Sequence, residues 1–185
     1  HVEDTWPPED MYWEDITLDQ ATATGSSVSA SSSVTVTIPA SDSDRFIAGL
    51  PTLHLSASTG FCDGGQIFAT MFDATQNLRI GHATMDIRYR DGGYDAQTVI
   101  PFATYTMQME FNPIDAIIPA GHGIEIVLTE NGEDYLPSPC ANFGLQVNAD
   151  SSSVLSLPLI DRDDNAPEWF EVPNWWDDGN ESPSI

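Results

Sequence analysis

Acid–base and metal chemistry are the first options this chain offers, because its reactive side chains are overwhelmingly carboxylates: 29 Asp and Glu against four histidines and two cysteines. Hydrolysis by a serine nucleophile needs the hydroxyl on a sharp strand-to-helix turn, G-x-S-x-G. That pattern is missing. Gly25-Ser26-Ser27 comes nearest, inside a Ser/Thr/Ala run that lacks the strand–turn–helix setting. Without a nucleophile, His1, His54, His82 and His122 have no triad to join, and no catalytic residue is expected. Carboxylate pairs are too plentiful for any one of them to mark a glycosidase-type acid and base.

Hard cations are the remaining option. Calcium takes about six to eight oxygens, which clustered carboxylates and loop carbonyls can supply. The candidate ligand set is Asp161, Asp163, Asp164 and Asn165, with looser acidic groups at Asp91/Asp95 and Asp177/Asp178. The Asp161-x-Asp163-x-Asn165 spacing starts like an EF-hand loop, but Ala166 stands where glycine is required and the closing Glu is missing. Calcium is therefore a candidate ligand without a motif, and no other cofactor is implied.

Charge narrows the partners. The 29 acids face five arginines and no lysine, a net charge of −24. Such a surface repels nucleic acid and anionic lipid, and no apolar run is long enough to insert into a membrane. Salt or bound cations would screen the self-repulsion, which fits an extracellular or cell-surface setting. The start at His1, without Met, suggests that a leader or larger precursor has been removed.

Cys62 and Cys140 lie in the Gly/Pro-rich segments FCDGG and PSPCAN. Their loop setting suits a disulfide in an exported chain; two buried thiols are the alternative. Neither their spacing nor a nearby histidine gives a zinc pattern.

The elements that must carry these groups read as strands. Apolar and polar residues alternate through Val34–Ile38, Leu53–Ala57, Ile67–Phe72, Ala83–Tyr89, Phe102–Phe111, Ile124–Leu128, Phe143–Val147 and Leu155–Leu159. Each stretch is bounded by turn residues, and none shows a helical period. About eight such strands predict an all-β, antiparallel jelly-roll sandwich with extended terminal segments. Residues 1–32 read as an acidic extended linker, 33–160 as the sandwich and 161–185 as an acidic, Trp-rich tail.

The segment 117–139, IPAGHGIEIVLTENGEDYLPSP, places the turn Gly121-His122-Gly123 before an alternating strand. Val2, Glu3, Asp4, Trp6, Pro7 and Pro8, and the stretch around 46–55, carry a second and third match. Together these resemble the C-terminal non-catalytic, galactose-binding-like jelly roll of the X-Pro dipeptidyl-peptidase and cocaine-esterase serine hydrolases. The resemblance implies a domain without triad residues, in which His122 belongs to a turn and bonds a loop carbonyl. It also implies a separate serine hydrolase domain as a partner.

All five tryptophans fall outside the alternating strands, in the two terminal segments. Indoles in such numbers should dock on something. The expected partner-contact residues are Trp6, Trp13, Trp169, Phe170, Trp175 and Trp176, joined by Val34 and Val36 of a candidate donor strand over 28–38 that would extend a neighbour's sheet. On this basis self-assembly with copies of itself, as a filament, sheath or coat, stands ahead of docking to a hydrolase. A carbohydrate-binding module is third.

Overall fold

Val34, Val36 and Ile38 point one way along a strand and Thr35 and Thr37 the other; the first set is buried and the second half-exposed. That period of two organises the whole computed structural model, which describes residues 10–130, 132, 140 and 144–161. Its strands are β1 (Tyr12–Thr17), β2 (Thr22–Thr24), β3 (Ser27–Val28), β4 (Val34–Ile38), β5 (Arg45–Gly49), β6 (Thr52–Thr59), β7 (Gln66–Asp73), β8 (Leu78–Asp86), β9 (Thr104–Glu110), β10 (Ile114–Ile118), β11 (Ile124–Thr129), β12 (Leu145–Asn148) and β13 (Val154–Leu159). Two 3-10 turns, Leu18–Gln20 and Ile87–Tyr89, complete the elements.

The strands form two antiparallel sheets. One runs β2-β4-β11-β7-β8; the other runs β10-β5-β13-β6-β12-β3, with β1 beside β13 and β9 beside β6. Their inner faces enclose one core that includes Ile38, Ile47, Leu53, Leu55, Ile67, Met107, Met109, Ile126 and Leu157. The central position expected of Ile67–Phe72 is found: β7 lies between β11 and β8.

All eight expected strands are present, although the one expected over Ala83–Tyr89 ends at Asp86 and gives way to the 3-10 turn Ile87–Tyr89; five more join them: β1, β2, β3, β5 and β10. The second sheet holds more pieces than periodicity suggests because its long strands are interrupted. Leu50-Pro51 parts β5 from β6, and Asn112-Pro113 parts β9 from β10; proline has no N–H for the ladder. Residues 149–153 part β12 from β13. There Ser153, fully buried, repairs the interruption: its Oγ donates to the Asn148 carbonyl at 2.6 Å and accepts from the Ser56 N–H at 2.9 Å.

The N-terminal part differs from a plain linker. From Tyr12 onward it belongs to the sheets, and β1 pairs with β13 along its whole length, Tyr12↔Leu159 to Thr17↔Val154. Glu14 fastens it further by accepting from Arg45 Nε and Nη2 at 3.0 and 3.2 Å. Trp13 therefore stands within a strand, contrary to the expectation that all tryptophans lie outside them.

The donor-strand expectation is corrected. β4 is hydrogen-bonded to β2 on one side and β11 on the other, and Val34 and Val36 are fully buried in the chain's own core. They offer a neighbouring copy neither an open edge nor an apolar surface.

Candidate contact face

The end of the sandwich where β6 passes into β7 and β8 into β9 carries the most exposed apolar side chains. Phe61 is 80% exposed, Phe102 63%, Ile100 62%, and Tyr94 is free of cover. Phe61 and Phe102 meet edge to face with ring centroids 4.9 Å apart. Asp63, Asp91 and Asp95 stand exposed on the same loops.

These loops are built to hold their shape. The Phe102 N–H donates to the Thr59 carbonyl at 3.0 Å, the Ile87 N–H to Gly65 at 2.9 Å and the Gln97 N–H to Arg88 at 2.7 Å. Cys62 and Cys140 form a disulfide with Cα atoms 5.8 Å apart, anchoring the loop that presents Phe61. The Arg90 guanidinium lies over the Tyr105 ring, 4.3 Å from its centroid, and donates to the carbonyls of Ile87 and Thr98. The Tyr105 hydroxyl in turn accepts from the Ile100 N–H at 2.9 Å.

Phe102 is the telling residue. The Ala103 N–H closes a four-residue turn onto the Ile100 carbonyl at 3.1 Å, with Pro101 second and Phe102 third at φ +66°. A type II turn asks for proline second and glycine third. An L-residue in that left-handed region costs about 1–2 kcal/mol. Burial does not offset it, since the ring faces solvent. The turn is held within the chain by the Phe102 N–H bond to Thr59 and by the edge-to-face contact of the ring with Phe61.

The opposite end is organised around Gly121-His122-Gly123. Gly121 has φ +82°, and a Cβ on Gly123 would meet the Ile38 carbonyl at 2.8 Å. The turn so formed delivers His122 Nδ1 to 2.7 Å from the Asp73 carboxylate, which also accepts the N–H groups of Thr75 and Gln76. The Ala74 N–H donates to Gly123 O. The expected structural turn is therefore in place, with one correction: among the described residues the partner of the His122 ring is a buried carboxylate that ends β7, and no loop carbonyl takes that role. Burial pushes the Asp73 carboxyl up, but the bonds from His122, Gln76 and Thr75 outweigh it and hold it below the usual carboxylate range.

Of the other expected contact residues, Trp13 lies half-exposed on the outer face of β1, in a shallow groove with Asp15, His54, Gln108 and Ser156. Trp6, Trp169, Phe170, Trp175 and Trp176 lie outside the described residues, as do Asp163, Asp164 and Asn165 of the calcium set. Asp161 lines a cleft with Tyr12, Asp42, Asp44 and Ala120. Cys62, Asp63 and Cys140 converge closely enough for a metal, but both sulfurs are committed to the disulfide.

Sequence reasoning missed Phe61, Ile100, Phe102 and Asp73. Ile100-Pro101-Phe102-Ala103 held a readable signal, a Pro-initiated turn with phenylalanine in glycine's place.

The sequence matches the family described as the X-Pro dipeptidyl-peptidase C-terminal non-catalytic domain over residues 4–154. No curated protein sequence matches it. Among solved structures, a CocE/NonD family hydrolase from Staphylococcus aureus superposes with a TM-score of 0.67 at 13% identity, over 87% of this chain and 38% of that one. An aminopeptidase from a marine sediment archaeon, Thaumarchaeota archaeon, gives 0.66 at 14%, over 87% and 39%. An alpha-amino acid ester hydrolase gives 0.54 at 12%, over 85% and 34%. The chain thus spans less than two-fifths of the length of each of these enzymes, and the likeness is one of fold.

Proposed function

Because the chain belongs to the X-Pro dipeptidyl-peptidase C-terminal non-catalytic domain family, we propose that it serves as the accessory β-sandwich of a serine hydrolase and docks on the catalytic domain through its Phe61–Ile100–Phe102 face. The observation that carries this is the left-handed, solvent-facing Phe102 paired with Phe61 on loops pinned by the disulfide. Preorganised aromatic anchors lose little conformational entropy on binding, and such residues dominate interface energetics. The acidic rim of Asp63, Asp91 and Asp95 calls for basic groups around an apolar centre on the partner.

Self-assembly into a filament or coat is the weaker reading. Its donor strand is β4, already paired on both sides, and two copies at −24 each repel one another. An extracellular or cell-surface location remains part of the proposal. The disulfide supports it, since such bonds persist in oxidising compartments.

The test is co-expression with a serine hydrolase domain that carries G-x-S-x-G and comes from the same genome. Stable association that Phe61→Ser plus Phe102→Ser weakens at least ~10-fold supports the proposal, since anchor truncations commonly cost over about 1.4 kcal/mol. Rods or sheets of the chain alone under the electron microscope, or association untouched by the double substitution, overturn it.

A further inference from the structure

Glu130 stands where a carboxylate has no business without a counterion. It follows β11, whose inward residues are Ile124, Ile126 and Leu128. Two positions beyond Leu128, it continues that inward series and is only 1% exposed. Neither carboxylate oxygen meets a hydrogen-bond donor among the described residues. Burying an ionised carboxylate without a partner costs several kcal/mol by order of magnitude. Among the described residues no other charge offsets it: burial pushes the Glu130 carboxyl above its ordinary range.

The surroundings are rich in oxygen. Residues 29–33 cross from β3 in one sheet to β4 in the other and, with Thr129 and Glu130, line a cleft of ≈ 350 Å³. Four of those five are serines, which bring hydroxyls and backbone carbonyls. Ser29 and Ser32 satisfy each other, Oγ to Oγ at 2.7 Å, so neither hydroxyl needs the carboxylate. The chain has no lysine to supply a cation. Of the described arginines, Arg45 is held by Glu14, Arg88 by Asp86 and Arg90 by two carbonyls, while Arg79 is exposed near the start of β8.

We propose that Glu130 and the serine crossing at residues 29–33 form a binding site for one hard divalent cation of the calcium class. All-oxygen lining selects such ions over zinc or copper. A single carboxylate makes the site weak, with a dissociation constant of about 10⁻⁴–10⁻³ M, as in extracellular modules. This inference stands apart from the docking proposal and uses none of its residues.

Calcium is titrated into the full chain at constant ionic strength, because the other 28 acids (29 less Glu130) bind ions diffusely. Binding heat and thermal unfolding are followed for the wild type, E130Q, E130D and the surface control D10N/E110Q, two exposed acids away from both sites. At about 5 mM calcium the wild type and the control should gain roughly 2–6 °C in Tm. E130Q should fold without calcium, melt no lower than the wild type and gain nothing. E130D should keep the gain but need roughly tenfold more calcium. No gain in the wild type, or equal gains in E130Q and the wild type, overturns the site. Neither outcome bears on the Phe61–Phe102 face.

Discussion

Asp73 and His122, 49 residues apart, meet at 2.7 Å and clasp the turn after β7 to the Gly-His-Gly turn before β11. The Asp73 carboxyl titrates below its ordinary value in the folded chain, because bonds from His122, Gln76 and Thr75 outweigh the upward push of burial. A depressed folded value means that its stabilisation is complete above the unfolded pKa of about 4 and is lost as pH falls through the folded value. Asp73→Asn should cost about 1.5–3 kcal/mol near pH 7 and flatten the acid limb of stability against pH. Urea unfolding from pH 3 to 7 reads both; a variant curve parallel to the wild type, without that flattening, contradicts the account.

The Cys62–Cys140 bond closes a loop of 78 residues. In the chain-entropy treatment a loop of this length is worth about 4.5 kcal/mol. Cys62→Ser with Cys140→Ser should therefore lower stability by roughly 2–4.5 kcal/mol while leaving the far-ultraviolet β signature in place. Loss of hydrolase association beyond what the destabilisation explains would tie the staple to the presentation of Phe61.

Phe102→Asn separates contact from stability. Asparagine tolerates the left-handed region, recovering about 1 kcal/mol, while the lost ring pair with Phe61 gives back about 0.5–1 kcal/mol. Unfolding free energy should thus stay within about 1 kcal/mol of wild type, and association should fall. A variant that is strongly destabilised, with association unchanged, would show that the ring is there to hold the loop.

Val36→Thr tests the correction to β4. The swap keeps the shape but buries a hydroxyl without a designed partner, at about 1–3 kcal/mol. Chemical denaturation of dilute monomer should show this loss. A donor strand reserved for a neighbour would leave the monomer's stability untouched.

What the sequence made legible follows from which interactions repeat. Period-two alternation marks the long strands because one face of each, such as Leu53–Leu55–Ala57 or Ile124–Ile126–Leu128, is covered by the opposite sheet. The Gly-His-Gly turn was legible from its motif, and the cysteines from their loop context. Short pieces were not. β2 is only Thr22-Ala23-Thr24, without alternation, yet by covering β4 it turns a strand that looked available into an interior one. Asp73 could not be assigned, since its role depends on a partner far along the chain. Phe102 hid in an ordinary-looking tetrapeptide because its importance lies in a backbone angle, which the residue's own preference opposes.

The pairing of β1 with β13 sets a schedule for folding. The earliest strand in the described chain finds its neighbour only in the latest one, more than a hundred residues downstream. During synthesis, Ile16 and its flanking backbone must wait, unpaired, until Leu155 emerges. Such distant closure makes for slow maturation and a long interval of vulnerability to aggregation, so a chaperone or a companion domain already standing nearby would matter most in those first seconds.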